Sequence, residues 1–324
     1  MSDQSLLYLS EADVARVALD PAVARSAVAA IFVAHHAKGT MVKPKLSLDV
    51  GPGHSFQTLC AASAEANLAV NKWVGVAPVG EGMTGAGIHA MIALNDFESG
   101  RLLAVLDGNL LTAIRTAAMS AVAAVHLARP DSRSIGFIGC GLQARSHLAA
   151  FHAWLPGLSR VAAVSRTHRS AVALAEQASA LGLEAMAGKD PEELVATSDI
   201  VITSVPNRGG FAPFLDPSWL RPGSFVSAVD VGRSWIASGL RDLDVLATDD
   251  QSQAPELVRA LGLGDAPLFD TDLSELVTGV HPGQTDPRHR TMFIFRGFAL
   301  GDLAVAARVY AAAKAAGIGT ILPR

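Results

Sequence analysis

Apolar residues recur at helical spacing over residues 10–38, behind a Ser-Glu-Ala-Asp start, and predict one helix there. From residue 44 to 107 the pattern breaks into short runs at 45–50, 55–61, 68–76, 87–94 and 101–106, bounded by Gly, Pro, Asn and Asp. Such text predicts an antiparallel sheet. Residues 110–128 form a long Ala-rich helical pattern stopped by Pro130. Beyond it, apolar runs at 134–138, 160–165, 200–205, 224–229 and 245–248 alternate with helical text such as 142–154 and 170–181, which predicts a doubly wound parallel sheet. A closing helix, 303–316, ends at Gly317. The fold expected is α/β, with a Rossmann sheet (130–302) inserted into an α+β substrate-binding and dimerisation domain (1–129 and 303–324).

Composition narrows the classes. Half of the 324 residues are hydrophobic and 17% are charged, against about a quarter in ordinary domains, so a packed globular chain is expected rather than a disordered one. The net charge of −4 has no basic stripe beside it, which argues against a nucleic-acid partner. Two cysteines, Cys60 and Cys140, make neither a disulfide framework nor a zinc site and fit a reducing cytoplasm. The acidic N-terminal text and the lack of an uncharged apolar run of about 18 residues argue against export and membrane spanning. No histidine group has metal-ligand spacing.

The motif with most chemical content is Ser134-Ile-Gly-Phe-Ile-Gly139-Cys140-Gly141-Leu142-Gln143-Ala144, a strand entering a helix through G-x-G-x-x-A. Gly139 allows the tight turn, Gly141 lets backbone approach a pyrophosphate, and Ala144 lets the helix pack closely. The next strand ends Val164-Ser165-Arg166-Thr167-His168-Arg169, without the carboxylate that takes the ribose hydroxyls of NAD. Arg166, Thr167 and Arg169 suit a 2′-phosphate instead. The reading favours NADP(H) and leaves NAD(H) open. Ser204 and Val205 end a parallel strand where such ligands bind, and Val231 ends another.

Leu110-Leu-Thr-Ala-Ile-Arg115-Thr116-Ala-Ala, followed by G-x-G-x-Q-A, resembles the signature of the ornithine cyclodeaminase and mu-crystallin family. Asn71-Lys72-Trp73-Val74 resembles the family's lysine strand, Asn95 to Gly100 its D-x-x-T-G turn, and Gly297 to Asp302 its closing G-x-x-x-x-D. The resemblance implies a homodimer built through the antiparallel domain and nicotinamide-dependent chemistry on a small amino or imino acid. It implies Arg115 and Lys45 as carboxylate receivers, Lys72 as the proton-handling group, and Thr116 near the cofactor. Lys45 stands where the family usually has arginine. In Val229-Asp230-Val231-Gly232 the aspartate falls two residues before the family's position, which turns Asp230 from ornithine toward another amine or the cofactor ribose. His89 stands near the family's substrate-facing threonines. The leading expectation is an imine or ketimine reductase, also able to run as an amino-acid dehydrogenase. Ornithine cyclodeaminase and a mu-crystallin-like NADPH-binding protein are the alternatives.

Overall fold

The computed structural model describes residues 5–77, 87–206, 212–265 and 267–323. They fall into two compact units, Met1–Ala118 with Gly297–Arg324, and Met119–Arg296.

In the first unit, β1 (Ser5–Leu9) leads to α1 (Glu11–Val17) and α2 (Pro21–His36). These replace the single helix expected over 10–38. Ser10 caps α1 in a reciprocal box with Asp13, but Ala18 is left-handed (φ 46°). Asp20 then caps a new start at Pro21, whose missing N–H suits a first helical position. The two helices are bent 98° apart.

Next come β2 (Thr40–Val42), β3 (Leu46–Gly51), β4 (His54–Ser63), β5 (Leu68–Val76), β6 (Ile88–Asp96) and β7 (Leu102–Asp107). They form a sheet in the order β1-β7-β6-β5-β4-β2, with β3 also on β4. Only the β1–β7 pair among these is parallel. Period-two alternation gives this sheet two unlike faces. Val70, Lys72 and Val74 of β5 are buried, while Trp73 between them is 45% exposed. Helix α3 (Asn109–Leu127) follows, and its sequence passes the boundary between the units at Ala118.

The second unit holds β8 (Ser134–Ile138), α4 (Leu142–Trp154), β9 (Arg160–Val164), α5 (His168–Ala180), β10 (Glu184–Ala187), α6 (Pro191–Thr197), β11 (Ile200–Thr203) and β12 (Phe225–Ala228). After these come β13 (Val245–Thr248), α7 (Ala254–Ala260), β14 (Thr271–Asp272), α8 (Leu273–Thr278) and β15 (Thr291–Ile294). All the strands pair in parallel, in the order β10-β9-β8-β11-β12-β15-β13-β14. β8, β11, β12, β13 and β15 are buried throughout, which is why they read as continuous apolar runs. The chain leaves β8 toward β9 and β10, then returns to β11 on its other side. That reversal is the point at which doubly wound sheets bind ligands, beyond the carboxyl ends of the strands.

Helix α9 (Ala299–Ala316) and β16 (Thr320–Pro323), which pairs with β1, return the chain to the first unit. The observed boundaries, 118/119 and 296/297, precede those expected at 129/130 and 302/303. The reason lies in polar tethers. The second half of α3 bonds within the second unit, Thr291 donating to the Leu127 carbonyl, and Asp302 bonds Lys72 within the first.

Candidate active site

Helix α9 covers the buried face of β4 and β5, and one polar cluster lies beneath it. Lys72 donates from Nζ to Asp302 Oδ1 at 2.8 Å. Arg115 Nε, from α3, lies 3.1 Å from the same oxygen. All three side chains are buried. Gly297 makes room for the guanidinium: it has φ +91°, and a Cβ there would lie 3.0 Å from both Arg115 terminal nitrogens.

Burial brings the Lys72 ammonium down to about 8, and the charge of Arg115 pushes the same way. Asp302 opposes them by its charge and its hydrogen bond, while Lys45 adds a further downward push. Lys45, half-buried just before β3, therefore belongs to the same electrostatic neighbourhood. Lys72 and Arg115 thus bring two buried cations to the one Asp302 carboxylate, the kind of donor set that receives a substrate carboxylate. A lysine near 8 also exchanges its proton close to neutral pH.

The second unit supplies the glycine loop. Gly139 has φ +87°, and a Cβ there would meet the Ser204 carbonyl oxygen at 2.8 Å. The Ser204 hydroxyl donates to the Gly139 carbonyl at 3.0 Å, so the ends of β8 and β11 are tied together at the reversal. Gly141 is the N-cap of α4 and makes no side-chain cap bond. A Cβ on it would meet nothing within 4 Å. The uncapped helix start and the open space beside it fit a pyrophosphate. Leu142 is exposed, Gln143 half-buried and Ala144 buried. Arg166 and Thr167, in the turn from β9 into α5, and Arg169, in the first turn of α5, are exposed, and Thr167 caps that helix without a side-chain bond.

Two expected site residues stand apart from this cluster. His89 pairs across β5–β6 with Gly75, whereas Lys72 pairs with Ile92. Facing residues share a side of the sheet, so His89 projects on the face opposite Lys72, exposed, and does not join the cluster. Asp230, expected to serve a substrate amine in catalysis or the cofactor ribose, is 3% exposed, and both its oxygens accept hydrogen bonds inside its own unit. Oδ1 accepts from Thr203 at 3.0 Å, and Oδ2 accepts from the Ser234 hydroxyl and, at 3.4 Å, from the Val205 N–H. Burial pushes its carboxyl up, while Ser234, Arg233 and Thr203 pull it down. Asp230 thus braces the ends of β11 and β12. It holds Val231, a β-branched residue at φ 63°, in a conformation such residues rarely adopt. Thr116 is buried beside Arg115 on α3.

Asp302 is the residue whose role sequence reasoning missed. Its signal was the closing G-x-x-x-x-D, which names Gly297 and Asp302 together but does not say that both meet Arg115.

The sequence pattern of the ornithine cyclodeaminase/mu-crystallin family matches residues 24–317. The ketimine reductase mu-crystallin of Rattus norvegicus is 32% identical over 230 residues, which cover 68% of this chain and 69% of the relative. The Δ1-pyrroline-2-carboxylate reductase of Thermococcus litoralis, solved with NADH and L-proline, is similar with a TM-score of 0.87 at 25% identity, over 97% of this chain and 99% of that one. The iminosuccinate reductase of Paracoccus denitrificans, solved with NAD+, gives 0.84 at 25% identity over 99% and 100%.

Proposed function

The chain belongs to the ornithine cyclodeaminase/mu-crystallin family, and we propose that it is a nicotinamide-dependent oxidoreductase that reduces an α-imino acid to an α-amino acid, or runs the reverse oxidation. The observation that carries this reading is the buried Lys72–Asp302–Arg115 cluster, with a lysine titrating near 8. The relatives named above support it, since they are imine or ketimine reductases.

The bound nicotinamide would supply a hydride to the substrate Cα. The π pair of the C=N bond then ends on nitrogen, which takes the proton held on Lys72 Nζ. Arg115 receives the carboxylate with parallel N–H donors, and Lys45 adds charge to the same anchor. Asp302 keeps Lys72 protonated near neutrality against burial and against Arg115. Gly139, Gly141 and the first turn of α4 would hold the pyrophosphate. Exposed Arg166, Thr167 and Arg169 favour NADPH through its 2′-phosphate.

A homodimer formed through the uncovered face of the first unit's sheet goes with this reading. So does a reducing compartment such as the cytoplasm, given two free cysteines.

The test is consumption of NADPH, followed by absorbance, with Δ1-pyrroline-2-carboxylate, iminosuccinate and imines formed from 2-oxo acids and amines. Turnover with the matching amino acid as product is expected. Cofactor binding without oxidation of NADPH or NADH by any of them would overturn the reductase and leave a binding protein.

A further inference from the structure

Behind the glycine loop, three elements of the second unit are joined by a buried chain of hydrogen bonds. Ser227 on β12 donates to Ser120 on α3 at 2.8 Å. The Ser120 hydroxyl lies 2.9 Å from His147 Nε2, and His147 Nδ1, on α4, lies 2.7 Å from the Gln143 carbonyl oxygen. Ser120, His147 and Ser227 have no exposed surface.

The carbonyl at one end sets the direction of the whole chain. A carbonyl only accepts, so Nδ1 must carry the hydrogen, and in the neutral ring that burial favours Nε2 must accept. The Ser120 hydroxyl therefore donates to Nε2 and takes the Ser227 hydrogen in turn.

The chain ends on the second residue of α4, in the turn whose N–H groups are uncapped. We infer that His147 is a positioning residue for dinucleotide binding: through Gln143 it tethers the first turn of α4 to α3 and β12. The inference rests on reading 139–144 as the dinucleotide loop. A second observation marks the same turn as incomplete without a ligand. Gln143 Oε1 is buried and has no hydrogen-bond partner among the described residues. It is acceptor-only, so phosphate oxygens cannot satisfy it, whereas a ribose hydroxyl or an amide N–H can.

The experiment is fluorescence titration of NADPH, and of inorganic pyrophosphate, with the full chain and with Ser120→Ala. This substitution cuts the tether and leaves the His147–Gln143 bond in place. Loss of one such bond should raise the NADPH Kd about tenfold, while kcat at saturating cofactor and the KM for imino acid stay within about twofold. Ser120→Thr, which keeps the hydroxyl, should restore the Kd, and pyrophosphate should bind far more weakly than NADPH throughout. In a long-range proton–nitrogen NMR spectrum, His147 should show a protonated Nδ1 and a bare Nε2. An unchanged Kd in folded Ser120→Ala, no rescue by Thr, equal losses in kcat and imino-acid KM, or the opposite tautomer would each overturn the inference. If Ser120→Ala does not fold, Ser227→Ala carries the same test from the outer end of the chain. Failure of the unsubstituted protein to bind either NADPH or NADH would instead overturn the reading of the loop.

Discussion

At the residue scale the proposed chemistry turns on Lys72, whose proton would be the reactant and is what its neighbours control. Its value near 8 lies below the ordinary 10.5, so it is mostly protonated at neutrality and loses the proton as pH rises through about 8. The proposed reduction would consume that proton, so kcat/KM for imino acid should fall about tenfold per pH unit above this point, while the reverse oxidation rises through it. Asp302→Asn removes the charge that holds Lys72 up, and the alkaline limb should move to lower pH. A limb that stays in place in this variant would mean that another group titrates. Arg115→Ala should lower kcat/KM by about a hundredfold or more, as expected when a buried charge loses its partner. Cofactor affinity should hardly change, since Arg115 meets Asp302 and Gly297 inside the first unit. Asp230 gives the complementary result. Its oxygens already accept from Thr203, Ser234 and Val205 inside its own unit. Labelled ornithine should yield no labelled proline, as read by chromatography, under conditions where imine reduction proceeds.

Individual elements were legible in the sequence wherever local text and tertiary packing agree. α3, α4, β5, β8 and β13 fall almost where periodicity puts them, because each fills a buried stripe or layer from end to end. The N-terminal helix was read as one piece because Ala18 carries no mark of its left-handed turn, and only Asp20-Pro21 records the restart. His89 was placed by proximity in sequence to a substrate strand. The side on which it projects depends on pairing register, which a single strand does not reveal. The glycine loop was plain, since its residues are local, but the His147 relay joins residues of α3, α4 and β12 that lie far apart in the chain. That relay has a measurable consequence for these elements. Burial brings His147 down to about 4 from 6.5, with the Gln143 carbonyl opposing it. A base held below its unfolded value favours folding while neutral, so the full stability is present above 6.5 and is lost as pH falls from there to about 4. The loss is on the order of 3 kcal/mol. Urea unfolding of His147→Gln across this range should show a flatter slope than the unsubstituted protein, and equal slopes would refute the assignment. At the β9–α5 turn, Arg166→Asp should weaken NADPH and spare or improve NADH; equal effects on both would count against a 2′-phosphate site.

At the scale of the whole molecule, the unresolved demand is the outer face of the first unit's sheet. Helix α9 covers one side of β4 and β5. Register places Tyr8, Met41, Leu46, Leu48, Trp73 and Met91 together on the other. All six are exposed, Leu46 to 67% and Leu48 to 60%, and Phe56 stacks on Trp73 at a ring separation of 5.8 Å. Large apolar side chains on adjacent strands form a continuous patch, unlike the scattered apolar residues that any surface carries. β1, β7, β6, β5 and β4 are hydrogen-bonded neighbours, so a partner would meet this face by side-chain packing rather than by adding a strand. A second copy of the same chain offers the same patch, and a two-fold axis makes it self-complementary. Stable pairs of this kind bury about 1,200–2,000 Å² in all, for which Leu48 and Trp73 would sit centrally as anchors. Analytical ultracentrifugation should therefore find a dimer, and Leu48→Glu with Trp73→Glu should convert it to monomer. The double variant should keep its secondary structure by circular dichroism, because both residues lie on the face away from Lys72 and α9. A monomer in the unsubstituted protein at micromolar concentration, or a dimer that survives both charges, would show that this face serves some other purpose.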